Sequence, residues 1–312
     1  MSEDYPTTLL DFERRFSSEA ACREYLASLR WPDGFVCRNC GETSAWQTDR
    51  GRWRCHACRL DTSVMAGTVF QDSKLPLVLW FRAMWFITSQ KYGASALGVQ
   101  RMLGLGSYRS AWALLHKLRH AMVRRGRERL AGIVEVDETY WGGEEEGVPG
   151  RKLVQKALIA VAVEERGKAS GRIRLCQIYG ADRSSLHGFI RENIESGSII
   201  RTDGLLAYGN LPDYKHDPKV QGNPKKTKLL PHAHLVISLL KRWLLGAHQG
   251  AIQAEYLDYY LDEFTFRFNR RTSQSRGKLF YQLVEQAAQA VPLPVDELTD
   301  HQQLTWWRQV HT

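Results

Sequence analysis

Four cysteines constrain this chain most strongly: Cys37-Arg-Asn-Cys40 and, fourteen residues later, Cys55-His-Ala-Cys58. Each Cys-x-x-Cys turn directs two thiolates toward one point, and two such turns joined by a hairpin complete a tetrahedral four-sulfur site. The intervening stretch suits a hairpin, with Trp46 and Trp53 flanking a turn at Thr48-Asp49-Arg50-Gly51. A redox pair would not occur twice at this spacing, so the expected occupant is a structural Zn²⁺ on Cys37, Cys40, Cys55 and Cys58. Four sulfurs close the site and leave no place for His56. Cys22 and Cys176 stand apart and are expected to be buried. Reduced cysteines fit a cytoplasmic protein. Residues 1–15 are acidic and lack the apolar core of a secretory signal. The most apolar run, Leu75 to Ile87, is broken by Arg82 and falls short of the roughly 20 residues a membrane span needs. No membrane partner is expected.

The 312 residues carry 43 basic and 34 acidic side chains, a net +9, which alone points only to some anionic partner. Its distribution says more. Residues 1–90 hold 11 of each sign, whereas residues 91–130 hold nine basic groups and one acidic. Residues 131–200 are slightly acidic, with nine basic against 11 acidic, and the remainder holds 14 against 11. A region that docks a polyanion beside a region that attracts cations would be charged in this way.

The basic stretch reads as helix, tight turn, helix: Ala94 to Leu103, then Gly104-Leu105-Gly106, then Ser107 capping a helix to about Val123. Ala111, Leu114, Leu115, Leu118 and Met122 make one inward face, which leaves Arg109, His116, Lys117, Arg119 and His120 to other faces. A helix-turn-helix whose second helix enters a DNA major groove has this pattern. The expected DNA contacts are Arg101, Arg109, Lys117, Arg119 and the trailing Arg124, Arg125 and Arg127, with Arg242 farther along.

From residue 131 the periodicity changes. Ile133 to Asp137 reads as a buried strand ending in an acid, Ala157 to Val163 and Ile173 to Tyr179 as two more. A helix follows, capped by Ser184 or Ser185, then a strand from Ser198 to Gly204 that again ends in an acid. His234 to Leu245 and Gln253 to Phe268 read as amphipathic helices. This is the order of an RNase H-like mixed sheet flanked by helices. Asp137 and Asp203 then fall on neighbouring strands with their carboxylates on one side. Two such groups can hold Mg²⁺ ions that activate a nucleophile and stabilise the leaving oxygen of a phosphodiester.

The fold class is thus a multidomain α+β and α/β chain: an N-terminal helical segment at 1–30, a zinc ribbon at 31–66, a helix-turn-helix-like region with its basic linker at 67–130, a catalytic domain at 131–272 and a tail at 273–312. Two loops look exposed: Gly142 to Gly150, with three glutamates, and the basic Gln221 to Lys228. The tail carries Trp306 and Trp307, which could pack or help dimerise.

Four blocks resemble the zinc-ribbon DDE transposases of bacterial insertion sequences. They are Glu135-Val-Asp137-Glu138-Thr-Tyr140-Trp-Gly142-Gly143; Thr202-Asp203-Gly204 with Tyr208; Ser238-Leu-Leu-Lys241-Arg242-Trp-Leu-Leu-Gly246-Ala-His248; and Tyr260-Leu-Asp-Glu263-Phe-Thr-Phe-Arg267-Phe-Asn269-Arg270-Arg271. The resemblance spans nearly the whole chain. It implies binding of double-stranded DNA at an element's terminal inverted repeats, cleavage there and strand transfer into target DNA by a homodimer or higher multimer. One position departs from the pattern. Where a third acid is due, 31 residues after Asp203, stands His234, and Lys241 follows seven residues on. The resemblance therefore implies an Asp137, Asp203, His234, Lys241 set. Neutral imidazole binds Mg²⁺ less well than carboxylate, so His234 implies water or phosphate positioning, or Mn²⁺. His232 is a nearby substitute. A DNA-binding regulator derived from such an element, catalytically decayed, is the alternative function, and a nuclease without end specificity is a third.

Overall fold

Short strands flanked by tight turns follow from the cysteine spacing, and a computed structural model, which describes residues 3–124, 126–142, 156–219 and 229–299, contains them. Helices α1 (Leu9–Arg15) and α2 (Glu19–Arg30) begin the chain, each capped by a hydroxyl, from Thr8 and Ser18. Strands β1 (Ala45–Gln47), β2 (Trp53–Cys55) and β3 (Asp61–Thr62) then form a three-stranded antiparallel sheet. Helix α3 (Leu77–Ser89) is apolar almost all round and buries most of its side chains. Helices α4 (Ala96–Leu103) and α5 (Tyr108–Ala121) follow. Their turn is built as the sequence implies: Gly104 takes the left-handed conformation at φ 63°. Ser107 accepts the Ser110 amide at 3.1 Å.

The described chain divides into two compact units, one drawn from residues before 125 and after 271, the other from the residues between. The first unit corrects the expectation of a C-terminal tail. Residues 276–289 form a helix, numbered α9 below, whose Phe280 is wholly buried. Its ring meets Phe12 at 5.3 Å, Phe16 at 5.5 Å, Phe81 at 5.7 Å and Trp85 at 5.8 Å. Gly277 permits this approach, since a Cβ there would lie 1.7 Å from the Pro6 carbonyl oxygen. The trailing residues 300–312, with Trp306 and Trp307, lie outside the described residues, as do both loops at 143–155 and 220–228.

The second unit centres on a five-stranded mixed sheet. Strands β4 (Ile133–Trp141), β5 (Ala157–Arg166) and β6 (Ala169–Ile178) run antiparallel to one another. After helix α6 (Arg183–Asn193), β7 (Ile199–Thr202) and β8 (Lys215–Pro218) join parallel, giving the order β6-β5-β4-β7-β8. Helices α7 (Pro231–His248) and α8 (Leu257–Asn269) come next, and α9 returns to the first unit. Strand β5 is buried on both faces, so its near-continuous apolar run has no alternation. Ile159, Val161 and Val163 pack toward α7 and α8, and Leu158, Ala160 and Ala162 toward α6.

Three local readings are corrected. Strand β4 does not end at Asp137 but runs four residues further, to Trp141, because Thr139, Tyr140 and Trp141 are strong strand formers. The cap of α6 is Asp182, not Ser184 or Ser185; its carboxylate accepts the Ser185 amide at 3.0 Å. Strand β8, Lys-His-Asp-Pro, shows no apolar alternation and was not anticipated.

The basic end of α8 caps the fold. Asn269 accepts the Ile173 amide at 2.7 Å and donates to the Ile173 carbonyl at 3.2 Å, while Asp258 accepts the Gln177 amide at 2.8 Å. Strand β6 is an edge, and these side chains occupy hydrogen-bonding groups that another strand could otherwise take. Arg271 donates to the Gly171 carbonyl at 3.3 Å.

Replacing Phe280 by Ala should cost about 3–5 kcal/mol. Because the ring packs on α1 and α3, the loss should appear as early unfolding of the N-terminal unit in thermal melts, with the β-sheet unit's transition unchanged. Loss of both transitions together would contradict the packing.

Candidate active site and metal centre

The four ribbon cysteines converge. Cys37 and Cys58 lie 3.6 Å apart and Cys40 and Cys55 3.5 Å apart, sulfur to sulfur. All four ligand atoms lie within 4.8 Å of one another. Two matching turns produce this. Cys37 donates its amide to the Glu42 carbonyl at 2.8 Å and Cys55 to the Leu60 carbonyl at 3.1 Å, with Gly41 (φ 75°) and Arg59 (φ 61°) left-handed at equivalent places. Glycine serves the first turn freely; at the second an arginine accepts that conformation and lies over Trp46 at 5.1 Å. The Cys58 thiol is pulled down to about 6 by the Leu60 amide and then the Asn39 side chain, while, against the pull of the Glu42 amide, desolvation and the three neighbouring thiols push Cys40 up to about 12, as sulfurs crowded at one point share protons. His56 packs on the Trp46 ring at 4.5 Å and is not in the cluster. Cys22 is fully buried, its thiol pushed up to about 12 by burial, whereas Cys176 is only half-buried.

Of the expected DNA-contacting residues, Arg101, Arg109, Arg124 and Arg242 are exposed and Arg127 is half-buried. Arg125 lies outside the described residues. Lys117 and Arg119 are corrected: both are buried, with Arg119 donating to the Ala94 carbonyl at 3.5 Å. Helix α5 is covered on more than one face, since His116 is buried too. Burial lowers the Lys117 pKa by desolvation.

The acidic site is built on β4. Its parallel pairing with β7 runs to Glu135 opposite Arg201; β7 ends at Thr202, and Asp203 follows directly, near enough for its charge to act on Asp137. Helix α7 brings His234 to Asp137, with its Nε2 3.4 Å from Asp137 Oδ2. His232 instead meets the Ser170 hydroxyl at 3.0 Å. The His234 side chain is 56% exposed and that of Asp137 14%, so the site opens toward solvent at the histidine. Lys241 lies two helical turns beyond on α7 and is half-buried. Burial raises the Asp137 pKa against the pull of the Glu138 amide and His234, and Asp203 adds to the rise. Asp203 Oδ1 accepts the Leu205 amide at 3.0 Å. Asp137, Asp203 and His234 are not gathered as tightly as the cysteines, which form the only such cluster among the described residues.

The structure pairs two residues that the sequence reading named without a role, Tyr208 and Glu138, and brings in one that it passed over, Asp217. Tyr208 is buried and donates to Glu138 Oε2 at 2.7 Å; burial and that carboxylate hold its pKa well above the ordinary phenol value. Asp217 of β8 lies opposite Arg201 and accepts from Lys219 at 2.7 Å, and Lys219 and then Arg201 hold its pKa down. Tyr208 stood in the second block of the resemblance, whereas Asp217 lies on a strand whose sequence shows no apolar alternation.

Residues 129–269 match the ISXO2-like transposase domain, and residues 17–61 match the transposase zinc-ribbon domain. Together these cover more than half of the chain. The chain belongs to the zinc-ribbon DDE-type transposases of insertion sequences. A curated relative, an uncharacterized protein in transposable element ISH50 of Halobacterium salinarum, is 24% identical over 289 residues, covering 85% of this chain and 95% of its own length. One solved structure, a simian T-cell lymphotropic virus intasome in complex with PP2A regulatory subunit B56 gamma, aligns over 69% of this chain and 74% of its own at 14% identity and TM-score 0.30, a likeness too slight to bear on function. No helix among the described residues of this transposase is long and apolar enough to cross a membrane.

A carboxyl whose folded-state pKa is raised loses stability as pH climbs through that value, and at neutral pH the full penalty of its buried charge remains. Asp137→Asn should therefore raise the melting temperature of the metal-free transposase at pH 7. The gain should shrink as pH falls through the raised folded-state value and be gone below the ordinary carboxyl value of 3.8. Melts across pH check it, and a neutral-pH loss of stability would contradict the burial argument.

Proposed function

We propose that this transposase binds the terminal inverted repeats of its insertion sequence, cleaves DNA there and transfers the cut strand to target DNA. The observation that carries the reading is the approach of His234 to Asp137, with Asp203 directly after the neighbouring strand. An RNase H-like core is supported by the order of elements: three antiparallel strands, a helix, then parallel strands on the far side of the first.

The donor set suits a hard divalent cation, with one carboxylate oxygen available from each strand and an imidazole at the open side. Bound Mg²⁺ or Mn²⁺ would make a water or hydroxyl a nucleophile at neutral pH and offset charge on the leaving oxygen. Asp137 and Asp203 hold the cation, His234 orients a water or phosphate oxygen or adds a nitrogen ligand, and Lys241 faces the DNA phosphate. The four cysteines hold Zn²⁺, whose role is structural because every ligand position is filled. End recognition falls to the ribbon and to α4–α5 acting as a helix-turn-helix, with Arg101, Arg109 and Arg124 contacting phosphates and Arg242 reaching the DNA near the site. Joining two ends calls for at least a dimer assembled on DNA.

Nicking of labelled end DNA in Mn²⁺ or Mg²⁺ tests this reading. Asp137→Asn and Asp203→Asn should each reduce cleavage to the metal-free level while end binding persists. Wild-type binding with no nicking at any metal concentration would favour a DNA-binding regulator, and equal cutting of scrambled ends a general nuclease. Arg101→Ala and Arg109→Ala should each reduce the salt slope of end binding by about 1. An unchanged slope would remove α4–α5 from the interface.

A further inference from the structure

Helix α7 begins in a way that leaves its first turn unprovided for. Its cap, Leu230, is left-handed at φ 42° and offers no side-chain acceptor, and Pro231 follows as the first helical residue. The amides of the next residues need partners from elsewhere. Glu135 supplies one from across the domain: its Oε2 accepts the Ala233 amide at 2.7 Å, 98 residues away in sequence. The His232 amide also acts on this carboxylate. An anion at a helix N-terminus is favoured by the aligned peptide dipoles as well as by the hydrogen bond.

Glu135 and Asp137 are two residues apart on β4 and so project to the same face. Ala233 and His234 are consecutive on α7. The first strand carboxylate holds the amide of Ala233, and the second receives the ring of His234 at 3.4 Å. The pair fixes both the height of α7 against the strand and its rotation. His232 adds a third tie, to Ser170 on β6. Glu135 is 1% exposed, so it meets neither solvent nor DNA and has no direct part in chemistry.

The geometry points to Glu135 as a positioning residue, which holds the first turn of α7 so that His234 stands at Asp137 and completes the divalent-cation site. This rests on the site proposed above. Outer-shell partners of metal ligands commonly change affinity by about 10–100-fold when removed, and the same scale is expected here.

The test is Mn²⁺ binding to the full-length, zinc-loaded protein, followed by electron paramagnetic resonance of free Mn²⁺ in the absence of DNA. Glu135→Ala should weaken binding about 10-fold or more. Glu135→Gln keeps an oxygen for the Ala233 amide and should recover most of the affinity. In a His234→Ala background, Glu135→Ala should have little further effect, because a residue acting through His234 has nothing left to position. Independent, additive losses in the double variant would overturn the inference, as would wild-type affinity in Glu135→Ala. If Glu135→Ala does not fold, Glu135→Leu, which keeps the bulk but offers the Ala233 amide no acceptor, takes its place in both backgrounds with the same expected and overturning results. Asp137→Asn serves as the separate control: Mn²⁺ binding that survives it would sink the metal-site reading itself, whereas its loss alongside an unaffected Glu135→Ala would sink only the positioning role.

Discussion

Strand β4 lies in the middle of the five-stranded sheet, antiparallel to β5 on one side and parallel to β7 on the other. Because β7 runs parallel to β4, its C-terminal end, which Asp203 follows, comes to the same end of the sheet as the half of β4 that carries Asp137. The strand is buried on both faces for most of its length. Its even-numbered residues Val134 and Val136 join the apolar layer beneath α6. Its odd-numbered residues Glu135 and Asp137 turn to the α7 face, where an apolar residue would otherwise be expected. Buried charge is costly unless it is hydrogen-bonded or paired. One of the two carboxylates is taken up by the helix amides and the other by a histidine and the Glu138 amide. The polar side of β4 is therefore a site held in place by the packing around it.

The charge distribution sharpens in the same way. Nine basic residues against one acidic between 91 and 130 looked like a continuous polyanion surface. Burial of Lys117 and Arg119 withdraws two of them; of the others described, Lys91, Arg101, Arg109, Arg124 and Arg129 are exposed and Arg127 is half-buried. The effective surface is smaller than the sequence suggests. A buried cation lost to solvent contributes to the fold through its aliphatic stem and its carbonyl contacts.

Much of this was legible in the residues. Four cysteines at fixed short spacing report their geometry because the turn that closes each pair is local. The strand that carries Asp137 and the one that precedes Asp203 followed from element order, and the helix that carries His234 from its apolar periodicity. What could not be read was set by long-range packing. Amphipathic periodicity assigns a helix one inward face, so a helix covered on several sides, as α5 is, has its polar residues misplaced. Strand β8 has no apolar pattern because its neighbour and its hydrogen bonds, not its side chains, make it a strand. Glu135 headed the first block of the resemblance with no role of its own, since the amide it accepts lies 98 residues on. Phe280 gave no sign that it would return to the N-terminal unit.

The central claim is that Asp137, Asp203 and His234 form one divalent-cation site. Anomalous diffraction from crystals of the zinc-loaded protein soaked in Mn²⁺ addresses it directly. The account predicts a manganese peak bonded to oxygens of both aspartates and adjacent to His234 Nε2, separate from the zinc peak among the four cysteines. A zinc peak with no manganese at the aspartates, or manganese bound elsewhere on the sheet, would contradict it.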